Sequence, residues 1–282
     1  MAQLKPILDE DLDRVGVFLH REMNGAISPE QWAGAFRHPW MQDKPDNGMM
    51  LEQQGEIVGV LAAIYSERIF DGKQQRICNL TSWRVQEAHS AMSLALLKAL
   101  VRRPDYTVLG TTPNEMVCRI YKLLGFELVP LERWVLRATP FAIGGQVLTG
   151  ERARDALSGD AQRAWDDHGQ FPWLHQLVLT DPSGAQPCHI IWRRSRWKRL
   201  PAATVLHLDH PESFMQNQGA WGRYLFWRYG IFSSHVEKRW LQRPQFVIGE
   251  EDYGWAAGLK STELTADRLT YLYTEQMALP LE

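Results

Sequence analysis

The spacing of apolar and polar positions predicts alternating strands and helices in the first half of the chain and a more strand-rich second half. Residues 3–8 read as a strand, and residues 9–23 as a helix whose acidic opening suits the positive end of a helix dipole. Ser28-Pro29-Glu30-Gln31 places an N-cap, a proline at the first helical position and an acid and an amide in the first turn, so a second helix is expected through Phe36. Residues 49–53 and 56–65, separated by Gln54-Gly55, predict a hairpin. A further strand over 75–85 follows an Asp71-Gly72 turn. A helix is expected over 91–102, with Leu94, Leu97 and Val101 on one face, and a short apolar strand over 106–110.

Residues 111–126 end that strand, start a helix and close it in one run. Pro113 suits an entry turn, Met116, Ile120, Leu123 and Leu124 form an apolar stripe, and Gly125 is a natural C-cap. Tyr121 then lies at the edge of the buried face, where a phenol can deliver a proton into a cleft. A sixth strand is expected over 132–137.

The second half predicts strands at 173–181, 188–197 and 203–209, with a Pro182-Ser183-Gly184 turn after the first. A helix over 212–229 and a strand over 231–237 follow, and residues 264–273 read as a closing amphipathic helix. Three strands, a helix and a strand echo the centre of the first half. The reading is an α/β chain with mixed sheets, in two domains cut at 1–138 and 139–282.

With 282 residues the chain suits two domains of about 140 residues each. A formal charge of −2 argues against a nucleic-acid-binding protein as a whole. No apolar run approaches the ~18 residues of a membrane span, and no signal peptide is evident, so a cytoplasmic location is expected. Cys78, Cys118 and Cys188 are widely spaced and form no ligand motif, which predicts free thiols and no metal. Trp192-Arg193-Arg194-Ser195-Arg196-Trp197-Lys198-Arg199 mixes cations with aromatics. It suits a basic hairpin edge guarded against edge pairing, an anionic sugar-phosphate surface, or a single-stranded nucleic-acid surface. Trp165, Trp173, Trp221, Trp227 and Trp255 suit core packing or a carbohydrate-stacking surface.

Asn114, then Tyr121-Lys122 seven residues on, then Gly125-Phe126, resembles the fourth helix of the acetyl-CoA-dependent N-acetyltransferases of the GNAT superfamily. The element order of the first ~130 residues agrees with it. The resemblance implies two GNAT-like domains in tandem, the second degenerate, and a transfer of an acetyl or other acyl group from acyl-CoA to an amine. In that reading the Asn114 side chain meets the pantetheine or adjacent backbone, and the Tyr121 hydroxyl protonates the departing CoA thiolate. Backbone N–H groups around Ser82 to Val85, including Trp83 and Arg84, polarise the thioester carbonyl.

The turn that should wrap the pyrophosphate departs from the glycine-rich pattern of the family. Ser90 stands at its Arg/Gln position, Ser93 at the central Gly and Ala95 at the last, with Ala91 between, and Glu87 adds a negative charge beside it. For the base, Glu67, His89 and then Glu87 are the candidates. Trp83-x-Val85 and Ser93-Leu94 through Leu97 resemble a branch associated with surface polysaccharide synthesis, which implies a small or sugar-containing acceptor. A non-catalytic scaffold or ligand-sensing module, and an aminoacyl transferase acting on cell-wall peptide, are the alternative functions.

Overall fold

The computed structural model describes residues 2–38, 40–70, 72–181 and 186–281, without the side chains of Trp255 and Asp267. The expected Asp71-Gly72 and Pro182-Ser183-Gly184 turns therefore fall wholly or partly outside the described residues. The chain divides into two compact units: Met1–Val129 with Trp255–Ala266 and Tyr273–Leu281, and Pro130–Gly254 with Asp267–Leu272. The sequence suggests a single cut at 138/139; the division falls instead at 129/130 and is discontinuous.

In the first unit, β1 (Gln3–Pro6) precedes a 3-10 turn and α1 (Leu12–Glu22), and α2 (Pro29–Gly34) follows. The Ser28 hydroxyl accepts from the Gln31 backbone N–H at 3.3 Å, and the Gln31 side chain accepts in return from the Ser28 N–H at 2.9 Å. The expected N-cap is thus formed, and Gln31 completes it as a capping box. Then come β2 (Gly48–Gln53), β3 (Glu56–Phe70) and β4 (Lys73–Val85). Gln54 and Gly55 both have positive φ, 53° and 83°, as a tight two-residue hairpin requires. A 3-10 segment, Glu87–Met92, leads into α3 (Ser93–Val101), which buries Leu96, Leu97 and Leu100. Leu94, expected on the buried face, points outward. After β5 (Thr107–Gly110) comes α4 (Glu115–Leu123).

The sheet of this unit runs β1, β2, β3, β4 with every neighbouring pair antiparallel, and then β5 parallel to β4. Its last strand is supplied by residues near the end of the chain: Gly258, Leu259 and Lys260 pair antiparallel with Gly110, Leu109 and Val108.

In the second unit, β6 (Glu127–Arg137), of which residues 130–137 belong here, is followed by β7 (Gln146–Leu148), α5 (Glu151–Asp155), α6 (Gly159–His168), β8 (Leu174–Thr180), β9 (Cys188–Trp197) and β10 (Leu200–Leu208). The unit continues with α7 (Pro211–Tyr229), β11 (Ser233–Glu237) and the start of β12 (Val247–Lys260). β7, β8, β9 and β10 pair antiparallel, β11 lies parallel to β10, β6 lies antiparallel to β11, and β12 is the neighbour of β6. Each unit therefore has antiparallel strands, one parallel pair joined across a helix, and a further antiparallel strand. Strands are exchanged along the chain: β6 follows the elements of the first unit yet pairs with β11 of the second, and the end of β12 pairs with β5 of the first. No local pattern encodes that exchange.

The expected helix over 264–273 does not form. Ala266–Arg268 makes a 3-10 turn, and the only helix of this stretch is α8 (Glu275–Ala278). Leu269, Tyr271, Leu272 and Tyr273 are all buried. A helix with one apolar face cannot bury three consecutive side chains, whereas irregular chain sunk into packed structure can. α5, α6 and β12 carry no signal that the sequence reading recognised.

Candidate functional site

β4 and β5 pair over only three positions, Ile77 with Thr107, Cys78 with Val108 and Asn79 with Leu109. Beyond them β4 continues to Val85 beside β3, while the chain after Gly110 turns toward α4. The two strands part. Just past that point β4 carries a bulge, since Val60 opposes Arg84 and Ala62 opposes Thr81, so that Ser82 and Trp83 on β4 face Leu61 alone on β3. Ser82 sits inside it at φ 53°, a conformation few non-glycine residues adopt. A bulge leaves a residue out of the ladder and re-aims its peptide groups. The buried indole N–H of Trp83 has no hydrogen-bond partner among the described residues.

α4 brings Tyr121 to this place. The Asn114 side chain accepts from the Val117 N–H at 2.9 Å and caps the helix, so its oxygen is spent on adjacent backbone while its amide NH2 stays available. Val117, Ile120, Tyr121 and Leu124 form the face that packs on the core. Met116 and Leu123, assigned from sequence to that face, are 72% and 86% exposed. Tyr121 is thus at the centre of the buried face rather than its edge: two apolar stripes run along this short helix, and packing selects the one containing the phenol. The Tyr121 ring stacks on Phe126 with centroids 4.3 Å apart. Gly110 and Gly258 give it room, a Cβ at either position falling 2.3 Å from Tyr121 atoms. Its hydroxyl has no hydrogen-bond partner among the described residues. Burial, then the charge of Glu275, holds the phenol pKa above its ordinary value.

Glu275 is the residue that sequence reasoning missed. It lies on α8 and is 4% exposed. It accepts from Asn79 Nδ2 at 2.6 Å, from the Thr111 hydroxyl, and from the Thr112 hydroxyl at 3.0 Å. Its partners stand at the last paired position of β4 and just after β5, so the carboxylate lies where the strands part. Three of its roughly four lone-pair directions are used. Asn79 Oδ1 is buried without a partner. The only signal in the sequence is an acid beside the N-capping Thr274, which says nothing of a site 164 residues away from Thr111.

None of the other candidates hydrogen-bonds Tyr121 or the Glu275 side chain among the described residues. Glu67 faces Arg76 across the β3–β4 ladder, with 3.7 Å between charges, and accepts from Gln74 at 2.7 Å. His89 and Glu87 are on the 3-10 segment after β4, and neither side chain has a hydrogen bond among the described residues. Arg84 is exposed, and Val85 packs against the core. Ser90 and Ala91 belong to the 3-10 segment, and Ser93 and Ala95 to α3. The His89 N–H bonds Gln86 at 2.9 Å and the Ser93 N–H bonds Ser90, so the turn is helical throughout. The amides of Glu87 and Ala88 precede its first bond. No group of metal-binding side chains occurs among the described residues, and none of the described helices is long and apolar enough to cross a membrane.

The fold is that of the GCN5-related N-acetyltransferases. A protein of that description from Anabaena variabilis superposes with a TM-score of 0.62 at 10% identity, over 92% of this chain and 72% of its own. One from Kribbella flavida gives 0.61 at 12%, over 94% and 72%. N-myristoyltransferase from Saccharomyces cerevisiae, solved with bound myristoyl-CoA, gives 0.51 at 11%, over 100% and 89%. No protein-family profile and no curated protein matches the sequence.

Proposed function

We propose that the chain is an acyl-CoA-dependent N-acyltransferase whose chemistry is carried by the first unit, with the second unit a degenerate copy of the same fold. The observation that carries this reading is the parting of β4 and β5 after Asn79 and Leu109, with a bulge at Ser82 on one side and the unpartnered Tyr121 hydroxyl on the other. A bound acyl-CoA would supply the thioester. Backbone around Ser82 to Val85, with the Trp83 indole N–H, would hold its acyl end. Asn114 Nδ2 and the amides of Glu87 and Ala88 would meet the rest, against the charge of the Glu87 carboxylate.

The residues then divide the work. Donors freed by the bulge stabilise charge on the carbonyl oxygen. Tyr121 Oη donates toward the departing sulfur. A phenol is a weak acid for a thiolate whose parent pKa is about 8.5, but burial raises thiols as well. Exclusion of water from the cleft would disfavour a free thiolate and so favour its taking the phenol proton. Glu275, with one lone pair unspent, replaces Glu67 as the preferred base for the amine proton, and Asn79 Oδ1 would orient the amine by accepting from another of its N–H groups. The acceptor is an amine-bearing small or sugar-containing molecule, a class consistent with surface polysaccharide synthesis.

Calorimetry with acetyl-CoA and longer acyl-CoA thioesters tests the reading, with micromolar binding expected and acyl transfer to an amine following it. A folded protein that binds none of them would leave a scaffold with an inherited fold, the reading that the Glu87 charge and the missing glycines favour.

A further inference from the structure

We propose that the tip of the β9–β10 hairpin forms a binding site for an organic phosphate, such as a sugar phosphate, separate from the acyl-transfer chemistry. β9 is not an edge strand as far as Arg193, because it pairs with β8 on one side and β10 on the other. From Arg194 to Trp197 it overhangs β8, and Leu200 and Pro201 of β10 lie beyond its pairing with β11. A basic guard on a sheet edge therefore does not account for the whole segment. The overhang lines a recess of about 310 Å³ with Arg194, Ser195, Arg196 and Arg199 on one side and Tyr229 at the end of α7 on another. No carboxylate lines it. Arg194, Arg196, Lys198 and Arg199 form no ion pair among the described residues.

The backbone of the tip adds an independent observation. Trp197 pairs with Leu200, so Lys198 and Arg199 are a two-residue turn, with φ of 48° and 70°. Turns of this type strongly favour Asn-Gly, because both central residues take positive φ. Here two cationic side chains occupy positions where they cost stability, and their charge adds to that of Arg194 and Arg196. Arg194 and Arg196 project to the same face of β9, opposite Ala203 and Pro201, whose short side chains leave room between strand and ligand. Three arginines lining one recess supply donors that match the oxygens of a phosphate ester, which can accept paired bonds from each.

A small ligand is favoured over nucleic acid. The aromatic faces that would stack bases are covered, Trp197 by Lys198 at 4.4 Å and Tyr229 by Arg194 at 5.2 Å. The recess is sized for a phosphorylated sugar, not for a strand.

The test is calorimetry of the whole protein with inorganic phosphate, glucose 6-phosphate, glucose and a fifteen-residue oligothymidylate. NMR of the arginine Nε–H groups locates the bound ligand. Phosphate and glucose 6-phosphate should bind and shift the Arg194, Arg196 and Arg199 signals, and glucose should not bind. Replacing Arg194 and Arg196 by Ala should weaken glucose 6-phosphate about tenfold or more. A Lys198→Asn, Arg199→Gly variant should melt at a higher temperature and still bind more weakly, which separates lost binding from lost folding. The proposal is overturned if wild-type protein binds neither phosphate, if glucose binds as tightly as its phosphate, if either variant keeps full affinity, or if the oligonucleotide binds tighter than glucose 6-phosphate through the same arginines.

Discussion

Gly110 and Tyr121 fit one against the other: a Cβ built on Gly110 would lie 2.3 Å from the Tyr121 hydroxyl oxygen and 2.7 Å from Cε2. The end of β5 is therefore shaped to seat a phenol whose oxygen meets the Gly110 backbone and makes no hydrogen bond among the described residues. Gly258, on the strand that pairs with β5, makes the same allowance for Cδ2 at 2.3 Å.

Substituting alanine at either glycine should overpack the site and lower stability by about 1–3 kcal/mol, read by thermal or denaturant unfolding. The two should differ in rescue. Adding Tyr121→Phe removes the atom nearest the Gly110 methyl and should restore part of the loss, but the Gly258 methyl meets ring carbons that phenylalanine keeps. Equal rescue of both would show that the ring moves as a whole.

Tyr121→Phe alone should leave the fold and the KM for acyl-CoA near wild type and reduce kcat on the order of a hundredfold, because the hydroxyl acts only as charge develops on sulfur. Unchanged turnover in a folded variant would make the residue a packing element.

Glu275→Gln should fold, since the threonine hydroxyls can rotate to accept from the new amide while Asn79 still donates to the remaining oxygen. Its acyl transfer to amines should fall at least tenfold, by the range typical of a lost acid–base group, and its pH–rate profile should change on the limb that reports the base. Glu275→Ala leaves the buried donors of Asn79 and Thr111 without their acceptor and should cost about 1–3 kcal/mol in unfolding experiments. Retained activity in the Gln variant would return the base to solvent or to Glu67.

Acid should destabilise the second unit through His189. Burial lowers its pKa to about 3, Nε2–H donates to Gln176 at 2.8 Å, and Nδ1 is buried with no partner. Unfolded histidine titrates near 6.5, so between pH 6.5 and 3 the unfolded chain holds the extra proton and stability falls as pH falls. The contribution lost by pH 5 is about 2 kcal/mol. His189→Gln should flatten the pH dependence of the melting temperature over that window.

The residues that set local structure are those the sequence made legible. The Ser28 N-cap, the Gln54-Gly55 hairpin and the span of β9 follow from interactions within a few residues, where side-chain chemistry and backbone geometry decide together. The Asn114 to Phe126 run was legible as a helix for the same reason. Which of its two apolar stripes faces inward was decided by Gly110 and Gly258, the second of them 137 residues beyond Tyr121. The places of β6 and β12 were decided by pairing between distant segments, and a strand such as β12, rich in glycine and charge, becomes a strand only because a partner edge is waiting for it. Glu275 shows the same limit at the site. An isolated acid near the end of the chain acquires meaning only when folding buries it against Asn79, Thr111 and Thr112, because the cost of burying a carboxylate is met by donors that no local pattern can announce.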